Sequence, residues 1–211
     1  MGRLFAALSF TFVLAASGTA VASEPMEDVD YLLIAPQPGA GTGRIEVIEF
    51  FYYGCESCYR FEPMLAGWLK KLAPDVTFKR VPALRRMEWV PLTSLYFALE
   101  EAGAVDRLHG EVYKAVHEKN INLRDSGDLL KWAEMHGLER AGFGKILNSE
   151  SMSAKVQKAR DTTVAYGVRA TPSMVVDGRY LTSGGMIGSL EALLPVVDGL
   201  IDKARKERAA K

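Results

Sequence analysis

The stretch FFYYGCESCYRF, residues Phe50 to Phe61, contains both cysteines of the 211-residue chain, three positions apart. Before it, the nearly continuous apolar run from Arg44 to Tyr53 (RIEVIEFFYY) predicts a strand that is buried on both faces. After it, apolar residues recur at helical spacing from Cys58 to Leu72, and a second strand is predicted from Val76 to Leu84. The cysteines therefore lie where a strand passes into a helix of a β-α-β unit, whose two strands we expect to be parallel.

The rest of the chain changes in character. Residues 23–43 are loop-rich, and helical patterns fill the chain from Pro91 to about Val168. The pair Asp177-Gly178, between two short strand-like runs, predicts a tight type I′ hairpin. A last amphipathic helix is expected from about Ile187 or Ser189 to Ala204. The order is therefore β-α-β, a helical block, a hairpin and a helix, which indicates an α/β protein.

The first 22 residues have the pattern of a cleavable secretory signal. Arg3 gives a basic start, and Leu4 to Ala16 form an apolar stretch. The small residues that end this segment predict cleavage before Ser23. An N-terminal membrane anchor is the alternative, although the stretch is short for a membrane span. Export would place the cysteines in an oxidising compartment, where disulfides persist.

The composition is typical of a soluble globular protein, with 48% hydrophobic and 25% charged residues. Lys+Arg and Asp+Glu are equal at 26 each, so no strongly basic surface is indicated. We therefore expect no nucleic-acid partner. The length after the leader suits one compact domain, which we expect to be a monomer.

The cysteine pair could be a structural disulfide, half of a metal site or a redox pair. A two-residue loop gains little closure entropy, so a structural disulfide would stabilise the fold only weakly. Zinc would need two further ligands, but there is no second CxxC motif, and we expect His109, His117 and His136 on helix surfaces. The position favours the redox pair, because a helix N-terminus stabilises a thiolate at Cys55. Cys58, one turn further, would be more buried and could attack a mixed disulfide made by Cys55.

The spans EFFYYGCESCYRFEP and, far downstream, RATPSMVVDGRY resemble the DsbA family of periplasmic thiol:disulfide oxidoreductases. The resemblance extends over nearly the whole chain after the leader. It implies a thioredoxin-like fold with an inserted all-helical domain. We accordingly divide the chain into a signal peptide (1–22), the first half of a thioredoxin-like domain (23–86), a helical insertion (87–166) and the second half of that domain (167–211).

The resemblance also implies the reacting residues. Cys55 corresponds to the exposed attacking thiol, and Cys58 corresponds to its buried partner. The Thr171-Pro172 pair corresponds to the loop that faces the cysteines, with Pro172 in the cis form. In that position, the backbone of Thr171 would pair with an incoming peptide beside the cysteines.

Four further residues are expected to tune the site. Glu49 falls where the family has a buried acid, although a solvent-facing position at a sheet edge is an alternative. Glu62 also matches the family pattern, although an ordinary surface helix acid would fit nearly as well. Glu56-Ser57 replaces the usual Pro-His between the cysteines. This exchange removes a positive group and adds a carboxylate that disfavours a second negative charge, so we expect a weaker oxidant than the family norm.

The family's activity gives the expected function. The oxidised Cys55–Cys58 pair would pass its disulfide to reduced exported proteins in the periplasm, and a DsbB-like, quinone-linked membrane oxidase would reoxidise it. We expect no cofactor and no metal, because the sulfurs carry the electrons. The alternatives are a reductase or isomerase whose cysteines are kept reduced, and a non-catalytic client-binding or metal-binding protein of thioredoxin-like fold.

Overall fold

The computed structural model describes residues 24–210. The predicted signal peptide, residues 1–22, and its cleavage point lie outside the described residues. Across residues 24–210, no helix combines the length and the apolar character needed to cross a bilayer.

The elements follow the expected order, with short additions. The strands are β1 Leu32–Leu33, β2 Ile45–Phe51, β3 Val76–Pro82, β4 Ser173–Val176 and β5 Tyr180–Ser183. The helices are α1 Glu56–Leu69, α2 Val90–Glu101, α3 Val105–His117, α4 Ser126–Met135, α5 Arg140–Leu147, α6 Glu150–Ala165, α7 Gly184–Ile187 and α8 Leu193–Ala209.

The five strands form one mixed sheet in the order β1-β5-β4-β2-β3. β2 and β3 pair in parallel, as predicted, whereas the other neighbours are antiparallel. β2 lies inside the sheet, with Val47 packed in a core shared with α1 and α8 and Ile48 in the core on the opposite face. Burial on both faces explains why the β2 sequence is a nearly unbroken apolar run.

The helices α2 to α6 lie between β3 and β4 in chain order and enclose an apolar core of their own. That core also contains Phe51, Tyr53 and Cys58, which lie at or beyond the end of β2. The helical block therefore packs directly against the segment that carries the cysteines. The domain boundaries proposed at residues 86 and 166 stay predictions.

The β4–β5 hairpin turns at Asp177 and Gly178, whose φ angles are +55° and +61°. Positive φ at both positions is the type I′ geometry, so the predicted hairpin is confirmed. Asp177 is buried, and its carboxylate accepts hydrogen bonds from Arg208 of α8, from Arg179 and from the backbone N–H of Gly41. The turn is thereby tied to the last helix.

Several element boundaries differ from the predicted ones. α1 begins at Glu56, directly after Cys55 as predicted, but it ends at Leu69 rather than at Leu72. α8 begins only at Leu193 and extends to Ala209, since the residues from Gly184 form the separate α7. β1 was predicted as loop, because a strand of two residues is too short to show alternation.

Candidate active site

Cys55 is the N-cap of α1, as the sequence predicts, and is partly buried. Its Sγ accepts a hydrogen bond from the backbone N–H of Cys58 at 3.4 Å. Hydrogen bonds from the Cys58 thiol and from the backbone N–H groups of Cys58 and Ser57 outweigh the effect of burial and lower the pKa of Cys55 to about 6. The Cys55 sulfur is therefore mostly a thiolate at neutral pH.

Cys58 lies one turn into α1 and is fully buried, and both cysteines are free thiols. Burial, together with the nearby Cys55 sulfur, raises the pKa of Cys58 well above its ordinary value. The pair is thus asymmetric: one accessible sulfur that ionises readily and one shielded sulfur that keeps its proton. Such a pair can form a mixed disulfide through Cys55 and release it through Cys58.

The Thr171–Pro172 peptide bond is cis, as expected. In the thiol form, the Cys55 Sγ donates a hydrogen bond to the carbonyl oxygen of Thr171 at 3.3 Å. Thr171 is partly exposed, whereas Pro172 is buried. The structure therefore brings the Thr171–Pro172 loop against the reactive sulfur, although the two segments are 116 positions apart in sequence.

Glu49 is fully buried in β2, so the alternative of a solvent-facing sheet-edge position is wrong. Arg80 lies opposite it in β3, with its Nε 3.1 Å from the Glu49 Oε2. Within residues 24–210, neither carboxylate oxygen of Glu49 has a hydrogen-bond partner. Burial outweighs the attraction of Arg80 and raises the pKa of Glu49 to about 8. Glu49 can therefore exchange a proton near neutral pH.

Glu62, on α1, extends this buried group towards the helical block. Its Oε1 accepts a hydrogen bond from Arg80 Nη2 at 2.7 Å, and its Oε2 lies 3.4 Å from His109 Nε2. The other ring nitrogen of His109 lies 2.8 Å from the Tyr53 hydroxyl. Burial lowers the pKa of His109, which keeps the ring neutral at pH 7. Glu62 is thus part of a charged cluster beneath the cysteines rather than an ordinary surface acid.

The residues between the cysteines face the helical block. Glu56 is exposed, and its Oε2 lies 3.0 Å from Nδ1 of His117, on α3. His117 Nε2 donates a hydrogen bond to the Tyr53 carbonyl oxygen at 2.8 Å. Ser57 is partly buried, and its backbone N–H supports the Cys55 sulfur. A histidine from the insertion therefore contacts the residue that stands in the usual Pro-His position.

A cationic side chain from the loop between α3 and α4, that of Arg124, lies beside Gly54. Arg124 Nη2 donates a hydrogen bond to the Tyr52 hydroxyl at 3.0 Å, and the Tyr52 ring stacks on Trp89. A Cβ at position 54 would lie 2.6 Å from the Tyr52 ring and 2.7 Å from Arg124 Nη2. Only glycine permits this close approach next to Cys55.

The sequence analysis missed three residues of the site: Arg80, His109 and His117. The expectation that the histidines lie on helix surfaces is wrong for His109, which is buried, and His117 is largely buried as well. Arg80 could have been found, because a basic residue within an apolar strand needs a buried partner and the parallel register places it opposite Glu49. Nothing local distinguishes the two histidines.

Within the described part of the chain, no three His, Cys, Asp or Glu side chains are grouped so that they could hold a metal ion. The titratable groups near the cysteines are instead engaged with one another. Glu62 bonds to Arg80, and Glu56 contacts His117. The chemistry that this arrangement supports directly is thiol–disulfide exchange at the two sulfurs.

Comparisons with known proteins agree with this geometry. Residues 85–192 match the DsbA-like thioredoxin domain family. The chain is 35% identical over 189 residues to the thiol:disulfide interchange protein DsbA of Pseudomonas syringae pv. tomato, covering 89% of this chain and 88% of that protein. It is 36% identical to DsbA of Bordetella parapertussis, over 94% of this chain and 98% of that protein.

A solved structure gives the same result for the fold. The crystal structure of Pseudomonas aeruginosa DsbA superposes with a TM-score of 0.80 at 34% identity, covering 86% of this chain and 95% of that one. The thioredoxin-like α/β fold predicted from the sequence is thereby confirmed. The chain belongs to the DsbA family of thiol:disulfide interchange proteins.

Proposed function

We propose that this protein is a periplasmic thiol:disulfide oxidoreductase that transfers the Cys55–Cys58 disulfide to folding exported proteins. A client thiolate attacks the Cys55 sulfur, the Cys55–Cys58 bond breaks, and Cys58 leaves as the thiol after taking up a proton. A second client thiolate then attacks the mixed disulfide at the client sulfur and releases Cys55. Two electrons pass from the client to the protein, and the client gains a disulfide.

The observation that carries the proposal is the difference in acidity between the two thiols. With a pKa of about 6, the Cys55 thiolate outnumbers its thiol about tenfold at pH 7. This ionisation stabilises the reduced form by about 1.4 kcal/mol, which corresponds to about 30 mV in a two-electron couple. A stabilised reduced form makes the disulfide form a better oxidant of client thiols.

Glu49 is suited to supply and remove the proton of Cys58. Both groups are fully buried, and the charge of Glu49 contributes to the raised pKa of Cys58. A pKa of about 8 lets Glu49 hold a proton at rest and yield it near neutral pH. Glu49 would thus allow the Cys55–Cys58 bond to break and re-form without leaving an unpaired negative charge on the buried Cys58 sulfur.

The resemblance to the family supports the remaining parts of the proposal. The signal-like leader would direct the protein to the periplasm, where reduced exported proteins are its substrates. A DsbB-like, quinone-linked membrane oxidase would restore the disulfide, and the protein would act as a monomer. The sulfurs carry both electrons, so the exchange requires no cofactor.

A Cys58→Ala variant tests the exchange mechanism, with Cys55→Ala as the matched control. The purified Cys58→Ala protein is first converted to a mixed disulfide between Cys55 and glutathione. Client thiolates should then displace glutathione, so that covalent adducts between Cys55 and the clients accumulate. Cys55→Ala should form none. Adducts are counted on non-reducing gels and located by mass spectrometry. Equal, non-covalent client capture by both variants would contradict the proposal.

The direction of electron flow is tested in cells. Thiols are trapped by acid quenching and alkylation immediately after harvest, and the fraction of oxidised protein is measured. An oxidant should be recovered mainly as the disulfide. Recovery mainly as the dithiol would overturn the oxidase proposal in favour of a reductase or isomerase.

A further inference from the structure

The His117 ring is fixed on three sides at the entrance of the site. It stacks on Tyr59 of α1, with ring centroids 5.1 Å apart and an interplanar angle of 5°. Nε2 donates to the carbonyl oxygen of Tyr53, and Nδ1 lies 3.0 Å from the Glu56 carboxylate. The side chain is only 10% exposed, whereas that of Glu56 is 67% exposed. The buried His117 ring therefore fixes the position of the exposed Glu56 carboxylate, rather than the carboxylate fixing the ring.

These contacts determine where the proton of the pair lies. Because a carbonyl oxygen only accepts hydrogen bonds, Nε2 must carry a hydrogen. In a neutral ring, an Nδ1 without a hydrogen would then lie 3.0 Å from a carboxylate oxygen, which is unfavourable. A proton on Nδ1 makes the contact attractive, and imidazole is a stronger base than a carboxylate. The 3.0 Å separation is thus that of a ring N–H beside a carboxylate, which is the arrangement of an ion pair.

Glu56 matters because it occupies the first turn of the helix that Cys55 caps. Its carboxylate and the Cys55 thiolate both lie at the positive end of α1, and like charges disfavour each other there. We infer that His117 is a positioning residue of the dithiol site, which holds the Glu56 carboxylate and offsets its charge beside the reactive sulfur of Cys55. The helical insertion thereby supplies the positive group that the Glu-Ser dipeptide lacks.

The tyrosine rings that lie near His117 carry no charge near pH 7. Tyr59 lies against one face of the ring, and Tyr113, on α3 itself, lies at 6.0 Å between ring centroids. The hydrogen bond to Glu118 raises the pKa of Tyr59, and burial raises that of Tyr113. Glu118 is the other nearby carboxylate, and the Tyr59 hydroxyl binds it. The charge of Glu56 is therefore the one that His117 can offset directly.

A double-mutant cycle of His117→Gln and Glu56→Gln tests the inference. Each purified protein is equilibrated with glutathione at pH 7, in the reaction of protein disulfide with two glutathione thiols to give the dithiol and glutathione disulfide. His117→Gln leaves the carboxylate unopposed, so its equilibrium constant should fall about threefold. Glu56→Gln leaves the imidazolium unopposed, so its constant should rise about threefold. The double variant should return to within twofold of the wild type.

A second readout is the titration of Cys55, which is monitored by thiolate absorbance at 240 nm. The midpoint should rise by about half a unit in His117→Gln and fall by a similar amount in Glu56→Gln. His136→Gln is the matched control, because the His136 imidazole bonds to the Trp132 carbonyl and lies against the Trp132 ring of its own helix. It should move neither quantity.

The inference is overturned if both single variants shift the equilibrium in the same direction, or if the double variant keeps the full His117→Gln effect. Glu56→Gln changes an exposed side chain, so it remains a valid test even if His117→Gln does not fold. The inference rests on the proposed exchange at Cys55. A wild-type protein that does not equilibrate with glutathione would refute the proposed function itself, whereas equilibration with unchanged variants refutes only the role of His117.

Discussion

Replacing Glu49 by Gln should make the protein more stable, and increasingly so as the pH rises. The Glu49 side chain is fully buried, and burial raises its pKa from an ordinary 4.5 to about 8. At pH 7 the unfolded chain has lost this proton whereas the folded protein keeps it. Folding must therefore take up a proton, which costs about 1.4 kcal/mol for each pH unit above 4.5.

The size of the gain follows from that difference. The cost in the wild type is about 3 kcal/mol at pH 7, above 4 kcal/mol by pH 8 and about 1 kcal/mol at pH 5. Gln is nearly isosteric with the protonated acid and does not ionise, so Glu49→Gln removes the cost. Arg80 keeps its hydrogen bond to Glu62 at 2.7 Å, so it is not left unpaired. The expected rise in Tm at pH 7 is about 6–12 °C.

The assay is urea unfolding of the reduced protein at pH 5, 6, 7 and 8, followed by tryptophan fluorescence. The reduced form is used because the Cys55 thiolate contributes to the raised pKa of Glu49. Glu46→Gln is the matched control: Glu46 is on the same strand, but its side chain is 38% exposed and pairs with Lys79 at the surface. Its loss should cost less than about 1 kcal/mol, well below the gain expected for Glu49→Gln at pH 7.

Two results would refute this reasoning about Glu49. The first is an unfolding free energy for Glu49→Gln at pH 8 that equals that of the wild type. The second is a gain at pH 5 as large as the gain at pH 8, which would show that the substitution acts through packing rather than through the proton. In either case Glu49 would ionise normally in the fold, and its proposed role as the proton carrier of Cys58 would lose its basis.

Two further predictions concern the reactive thiol and the hairpin. The rate at which iodoacetamide alkylates Cys55 in the reduced protein should rise with pH with a midpoint near pH 6, whereas Cys58 should stay unreactive below pH 9. Peptide mass mapping distinguishes the two sites. A midpoint above pH 8 would contradict a Cys55 thiolate at neutral pH. Asp177→Asn should destabilise the fold by about 2 kcal/mol at pH 7, because it removes the charged acceptor of Arg208 while keeping a residue that tolerates positive φ. Burial alone would raise the pKa of Asp177, but the hydrogen bonds it accepts, first of all from Arg208, outweigh burial and lower it. The stability that ionised Asp177 contributes is therefore present above its ordinary pKa of 3.8 and is lost as the pH falls below that value. Urea unfolding at pH 7 and pH 3 checks this, and an equal difference at both pH values would contradict it.

Local patterns predicted most of the fold. β2 was recognisable because burial on both faces leaves an apolar run, and the hairpin because Asp-Gly suits positive φ at two successive positions. The short elements β1 and α7 were missed, since two to four residues cannot display a period. The start of α1 was predicted from the position of Cys55, but α1 ends at Leu69, three residues before the last apolar position of the repeat, Leu72.

Only the site residues that belong to recognisable sequence motifs could be predicted. The two cysteines and the Thr171–Pro172 loop carry recognisable sequence, and so they were found. The buried partners were missed because their role depends on contacts made across the fold. His109 approaches Glu62 from a helix 47 positions away in sequence, and its buried environment arises from the packing of the helical block.

The oxidising power of the site also depends both on local sequence and on contacts made across the fold. From the dipeptide alone, Glu56-Ser57 predicts a weaker oxidant, since it adds a carboxylate and lacks a histidine. In three dimensions, that carboxylate contacts His117, and Arg124 lies beside Gly54, next to Cys55. Both side chains come from the helical block and the loop between α3 and α4, so the surroundings of the reactive sulfur are a property of the whole fold. A potential close to that of the Pro-His relatives would therefore mean that the insertion compensates for the dipeptide, and a lower one would mean that solvent screens the compensation.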